Sequence, residues 1–294
     1  MQVCQNSQVK KLGQFTLAII TVVVLAGCAT SNSSSNSQET QVRIIAAAAG
    51  SAEILKELGL GNEIVGVDER NSISHNSMKV TTGHAFNFEV VASLKPTVVI
   101  LDSLTDSREV EKKFQDLKVS IVNLPTAENI EQIYTKYKIL GKHFEREELA
   151  KQASEALRTK FEKVPKGNKS LRIVFLYLRG TNSIYLVGGK GSGADSLIEK
   201  IGSVDVGAQI LDSPFTPLTA EVMKQLNPEA ILLMSKGLES VGGFEGLRKL
   251  PGLEKSIAIK KKQIILIDDR KLLDFGPETL NVLEEMTKQS RRFQ

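Results

Sequence analysis

The sequence predicts a bilobal α/β protein, and three observations carry that reading. The first is a duplicated segment: Glu89-Val-Val-Ala-Ser-Leu-Lys-Pro96-Thr-Val-Val-Ile-Leu101 returns at domain-scale distance as Glu221-Val-Met-Lys-Gln-Leu-Asn-Pro228-Glu-Ala-Ile-Leu-Leu233. In each copy about two turns of amphipathic helix meet a proline. The residue before it is driven out of the helical region, and an aliphatic run comes next that reads as a buried strand. The second is that a helix closing on glycine precedes each copy, Glu53 to Gly61 in the first half and Asp195 to Gly202 in the second. The third is a stretch of purely helical periodicity between the halves.

Taken in order, the chain opens on a segment that does not belong to this fold. Lys10 and Lys11 precede an apolar run, Phe15 to Val24, which is too short to span a bilayer comfortably and has the charge and length of a signal-peptide core. The run ends in Leu25-Ala26-Gly27-Cys28, with a Ser-rich stretch after it, and this resembles the bacterial lipoprotein processing box. The resemblance implies cleavage before Cys28 and lipidation of its thiol. Cys4 leaves with the signal, so the mature body has no thiol for a disulfide, a zinc site or a nucleophile.

After the tether, Val42 to Ala49 reads as a strand entering Gly50-Ser51, where a helix from Ala52 to Leu58 begins, and Glu63 to Val67 is the next short strand. Asp68 to Thr82 is polar and without periodicity. From Glu128 the apolar positions Ile130, Ile133, Tyr134, Tyr137 and Leu140 fall at helical spacing, and Glu145 to Lys163 continues with Leu149, Ala153, Leu157 and Phe161 on one stripe. Leu171 to Tyr177 opens the second lobe as a strand. Residues 1–27 are therefore read as signal peptide, 28–41 as tether, 42–126 as first lobe, 127–165 as helical connector and 166–294 as second lobe.

Composition excludes several functions. A formal charge of +4 over 294 residues is mild, and the basic cluster Lys260, Lys261 and Lys262 reads as a solvated turn before the strand Gln263 to Asp268, which speaks against nucleic-acid binding. The loop Gly188-Gly-Lys-Gly191-Ser-Gly193 lacks the order of a dinucleotide or phosphate loop and serves as a turn into the helix from Ala194. No Gly-x-Ser-x-Gly context supports a hydrolase, and the chain is read as a non-enzyme.

Two groups remain that could hold a ligand. Of three histidines, His143 lies on the connector and His75 in the polar loop, both read as surface. His84 differs: it comes after Gly83 in a turn immediately before the first repeat helix, with Asn87 as the helix cap. In Phe175-Leu-Tyr177-Leu-Arg179, a strand that persists through Arg179 points Tyr177 and Arg179 to the same face. A guanidinium beside the phenol oxygen favours phenolate, a hard anionic ligand suited to ferric iron.

The tether, duplicated lobe and helical connector resemble the helix-linked substrate-binding proteins of bacterial ABC importers for iron complexes and vitamin B12. That resemblance implies two Rossmann-like α/β lobes joined by a long rigid α-helix with a ligand cleft between the lobes. It also implies that Glu89 and Glu221 project from the lobe tips to pair with permease arginines.

A closer resemblance rests on Gly83-His84-Ala-Phe-Asn87-Phe-Glu89, Phe175 to Thr181, Gly191 to Ile198, Gly237 to Gly243 with Leu250 to Leu253, and Asp274-Phe-Gly276-Pro277. Together these look like the haem-binding lipoproteins of haemin ABC importers, the HmuT type. This implies that haem is the transported ligand, with His84 and Tyr177 on the iron from opposite lobes and Arg179 supporting the tyrosinate. It further implies an ABC permease and its ATPase as partners, and a lipid-anchored place on the extracytoplasmic face of the cell membrane. The alternative within the same fold is a ferric siderophore or cobalamin as cargo.

Overall fold

A computed structural model describes residues 41–293 apart from 70, 72–76, 83–84, 104–106 and 127. The signal segment with Cys28, and the residues His75 and His84, lie outside the described residues.

The first lobe is built on β1 (Ile44–Ala46), α1 (Ser51–Glu57), β2 (Ile64–Val67), β3 (Met78–Lys79), the small hairpin of β4 (Thr81–Thr82) and β5 (Ala85–Phe86), α2 (Phe88–Leu94), β6 (Val98–Leu101), α3 (Arg108–Asp116) and β7 (Ser120–Asn123). Five strands form one parallel sheet in the order β3-β2-β1-β6-β7. Strands of a doubly covered parallel sheet are apolar on both faces, which is why Val98 to Leu101 reads as an unbroken aliphatic run and is buried throughout.

The connector is helical, but in two pieces rather than one: α4 (Glu131–His143) and α5 (Glu147–Glu162) fold back on each other. Glu145 takes a left-handed conformation at φ 54°, which ends helical continuity. A side chain at Gly141 would come within 2.5 Å of the Ala150 Cβ, so the absent side chain is what lets the two helices close at their junction. This contact also moves the apolar stripe of α5. Ala150, Leu157 and Phe161 are buried, whereas Leu149, expected on the stripe, is exposed. At the other end Arg158 pairs with Glu131 at 3.1 Å and lies over the Tyr134 ring.

The second lobe consists of β8 (Arg172–Arg179), β9 (Ile184–Gly188), α6 (Ala194–Lys200), β10 (Val204–Asp205), α7 (Val206–Ile210), β11 (Phe215–Pro217), α8 (Ala220–Leu226), β12 (Ala230–Met234), α9 (Ser235–Ser240), α10 (Gly243–Leu247), α11 (Ile257–Lys260), β13 (Ile264–Ile267) and α12 (Thr279–Ser290). Its sheet runs β11-β9-β8-β12-β13. β10 lies parallel to the start of β8 and β9 antiparallel to its end, so this sheet is mixed.

The duplicated sequence becomes duplicated structure in detail. The helices α2 and α8 are both seven residues long, capped by Asn87 Oδ1 accepting from the Val90 amide and by Thr219 Oγ1 accepting from the Val222 amide. Both end on a left-handed residue before proline, Lys95 at φ 46° and Asn227 at φ 41°. The strands after them pair in one register: Ile44 opposite Val98 in the first lobe, Ile173 opposite Ala230 in the second.

One apolar core runs through both lobes and the connector, from Ile44, Ile54 and Leu55 through Tyr137 and Phe161 to Ile173, Phe175, Phe275 and Met286. At about 1.5–3 kcal/mol for each large side chain fully buried, the lobes are held by much more than their linker.

A polar lock closes the seam. Gly50, at φ 71°, has no room for a side chain, since a Cβ there would lie 2.7 Å from the Gly276 Cα. Its amide donates to Asp274 Oδ1 at 3.1 Å, and the Ala49 amide donates to Asp102 Oδ2 at 2.9 Å. Lys136 of α4, almost wholly buried, sends its ammonium to the carbonyls of Ala49 at 2.7 Å, Phe275 at 3.0 Å and Asp274 at 3.3 Å. One cation thus ties both lobes to the connector, and burial lowers its pKa from the usual lysine range. Nearby Glu53 is pushed up to about 7, first by burial and then by the charge of Asp274.

Candidate ligand site

In open α/β sheets, ligands bind outside the carboxyl ends of the strands. The seam residues Ala47–Gly50 and Asp102 lie just past the carboxyl ends of β1 and β6, and Asp274 to Gly276 lie past β13, so the two sheets turn these edges toward each other. Tyr177 and Arg179 lie at the carboxyl end of β8, on that edge of the second lobe.

Tyr177 and Arg179 share a face, as their spacing requires, and both are half-buried. The guanidinium lies over the ring, with Cζ 4.6 Å from the Tyr177 centroid, a cation–π arrangement. Arg179 Nη1 donates to the Leu178 carbonyl at 2.9 Å and lies 3.4 Å from Asp269 Oδ1. On the other side of Tyr177 stands Phe215 of β11, its ring centroid 5.8 Å away and edge-on, with the side chain partly open to solvent. Ile184, opposite Arg179 across the β8–β9 pair, is also exposed. A phenol, a cation and apolar walls therefore meet on one face, a donor set that fits a flat apolar ligand carrying a metal ion.

In the first lobe, Gly83 and His84 occupy the chain between β4 and β5, whose flanks pair Thr82 with Ala85 and Thr81 with Phe86. Beside this hairpin is an open groove of about 540 Å³ lined by Thr82, Ala85, Asn87, Glu89 and Lys113. Phe86 and Phe88 also line it, and with the buried Phe114 they form a tight aromatic cluster with centroids 5.2–5.7 Å apart. Sequence reasoning did not anticipate this cluster, although Phe86 and Phe88 flank the Asn87 cap at alternate positions.

Glu89 and Glu221 are each the second residue of their helix and exposed, one on each lobe. His143 is exposed at the end of α4, edge-on to its neighbour Phe144. In the glycine loop, Asp195 Oδ2 folds back to accept from the Gly191 amide, occupying the turn from within. Among the described residues no cluster of three or more His, Cys, Asp or Glu could hold a bare metal ion. No described helix is long and apolar enough to cross a membrane.

Two α/β lobes bridged by a helical hairpin, with Tyr177 and Arg179 at the carboxyl edge of the second sheet, are the architecture of a bilobal binding protein. The chain belongs to the family described as Periplasmic binding protein, whose profile matches residues 44–271. It is 22% identical over 311 residues to the uncharacterized ABC transporter substrate-binding lipoprotein YvrC of Bacillus subtilis, covering 95% of this chain and 96% of that one. Among solved structures it is similar to the periplasmic heme-binding protein RhuT of Roseiflexus sp. RS-1 in apo form, with a TM-score of 0.79 and 26% identity over 86% of this chain and 98% of the other. The heme-binding protein HmuT gives a TM-score of 0.76 and 28% identity over 85% of this chain and 84% of its own. HmuT has also been solved as variants in which a histidine, a tyrosine and an arginine two places beyond that tyrosine are each replaced by alanine.

Proposed function

We propose that this protein captures haem outside the cytoplasm and hands it to an ABC permease and its ATPase, held at the membrane by a lipid on Cys28. The observation that carries the reading is the Tyr177–Arg179 pair at the carboxyl end of β8, flanked by Phe215 and Ile184. The same tyrosine and arginine spacing was singled out for substitution in HmuT. Tyr177 would supply an anionic oxygen to ferric iron, His84 a neutral nitrogen from the first lobe, and Arg179 the charge that supports the tyrosinate. Glu89 and Glu221 would meet basic residues of the permease from the two lobe tips. The cargo leaves unchanged, so no catalytic residue is assigned.

The lock at Lys136 and the shared core favour a receptor that holds its lobes nearly fixed, with small side-chain adjustments around the cargo. Titrating the soluble fragment 29–294 with haemin tests the reading. A saturable Soret shift at one equivalent is expected. A flat titration, or equal competition by cobalamin or a ferric siderophore, would remove haem as the cargo. For the anchor, Cys28→Ala should abolish incorporation of labelled fatty acid; continued labelling would contradict the assignment of Cys28.

A further inference from the structure

Arg179 has four rotatable side-chain bonds, and its side chain is about a third exposed. Stacking on one half-buried aromatic ring contributes on the order of 1 kcal/mol, too little by itself to fix a long side chain in one place. Something else must hold it across the Tyr177 ring. Its partner is Asp269, from the segment after β13, whose side chain is only 10% exposed. Asp269 is itself fixed: its Oδ2 accepts from the Lys236 amide at 2.6 Å, at the first turn of α9. Its buried Oδ1 has no hydrogen-bond partner and faces Arg179 Nη1. The neighbouring carboxylate is otherwise engaged, since Asp268 accepts from the amide, Nε and Nη2 of Arg270. Gly237 of α9 packs beside the same pair: an added Cβ would lie 3.2 Å from the Leu178 carbonyl oxygen and 3.7 Å from Arg179 Nη1.

We infer that Asp269 is the positioning residue of this site: anchored on the α9 backbone, it holds Arg179 over the face of Tyr177 and thereby sets how the guanidinium charge reaches the phenol. Its functional consequence rests on Tyr177 being the iron ligand proposed above; its structural content does not. Three chain segments, at or just past the ends of strands β8, β12 and β13, converge to make this relay, and the order is α9 amide, Asp269, Arg179, Tyr177. Without the carboxylate, Arg179 keeps only the Leu178 carbonyl and the ring, and its side chain gains freedom toward solvent. Partners that orient a ligand typically tune metal affinity by ~10–100-fold, and an indirect one belongs at the lower end.

The test uses Asp269→Asn, which keeps an oxygen for the Lys236 amide and removes the charge. In the ligand-free protein, the Arg179 Nε–H signal in ¹H–¹⁵N spectra, assigned by its loss in Arg179→Lys, should report slowed guanidinium rotation that becomes fast in Asp269→Asn. On haemin binding, Asp269→Asn should weaken affinity about tenfold and shift the ferric tyrosinate band. The same change made on Arg179→Ala should alter affinity by less than about twofold, because Asp269 acts only through Arg179. An unchanged Arg179 signal in Asp269→Asn overturns the inference, and so do additive effects in the double variant. Should the wild-type protein show no tyrosinate band with haemin, the ligand reading of Tyr177 fails, and the ligand-free spectrum alone decides the role of Asp269.

Discussion

Arg43 and Arg172 stand at equivalent places in the two lobes, yet the strands they introduce differ in length and in partners. Arg43 precedes β1 and its Nε donates to the Leu94 carbonyl at 2.8 Å, at the end of α2; Arg172 begins β8 and its Nη2 donates to the Leu226 carbonyl at 2.7 Å, at the end of α8. From there β1 runs only to Ala46 before turning into α1, whereas β8 continues to Arg179 and gains the antiparallel β9 as a partner. The extension carries Tyr177 and Arg179. In the first lobe β1 has no such extension, and the proposed counterpart His84 falls in sequence between β4 and β5, outside the five-stranded sheet. The shared frame thus presents one glutamate per lobe in near-identical settings, while the extension that carries Tyr177 and Arg179 has no counterpart in the first lobe's β1. Under the proposed function, the symmetric glutamates would meet a partner that spans both lobes, and the asymmetric additions would offer two unlike ligands to the iron.

The largest expected effect breaks the symmetric part. Reversing both Glu89 and Glu221 to Lys should abolish cargo uptake by cells while haemin affinity stays within about twofold, because exposed tip charges act on encounter with the partner. Normal uptake by the double variant would show that the repeats do not dock.

Next in size is the seam. Gly50→Ala must place a Cβ against the Gly276 backbone at a positive φ, and it should cost about 2–3 kcal/mol in denaturant unfolding. A loss below about 0.5 kcal/mol would mean that the lobes separate there at little cost.

A smaller effect concerns Glu53, which feels the charge of Asp274 from the first lobe's side of the seam. Its native pKa is raised to about 7 from 4.5, so the folded state binds the extra proton. The stability it contributes is full below the unfolded value and is lost as pH rises through about 7. Glu53→Gln should therefore flatten the fall in melting temperature between pH 5 and 8. A slope equal to wild type would place that titration elsewhere.

The smallest effect sharpens the equivalence itself. Arg43→Ala and Arg172→Ala should each cost about 1 kcal/mol, since each removes one charged donor from the carbonyl end of a short helix. Costs differing by more than about twofold would separate the two frames energetically.

Much of this frame was legible in the sequence because it is local. Proline after Lys95 and Asn227, the cap at Asn87, and the aliphatic runs Val98–Leu101 and Ala230–Leu233 each specify their own conformation. The shared face of Tyr177 and Arg179 came from strand alternation alone. The remainder depends on partners distant in the chain. Glu145 breaks the connector because Gly141 and Ala150 close the corner, a condition no periodicity reports. Lys136 lies between the apolar positions of the connector helix, and nothing local marks it as the residue that meets carbonyls from both lobes. Asp274 to Gly276 stood out as a motif, and its structural part is the seam rather than the ligand face. Arg179 lies across the ring because Asp269, far later in the chain, draws it there.

The central claim is that the unshared extension of β8 supplies the anionic ligand. Ferric absorption spectra of haemin complexes of the wild type, Tyr177→Ala and His84→Ala, compared at equal saturation, test it most directly. The account predicts a tyrosinate charge-transfer band in the wild type, its loss in Tyr177→Ala with the greatest drop in affinity, and its persistence in His84→Ala as a five-coordinate complex. A wild-type ferric spectrum in Tyr177→Ala would contradict it.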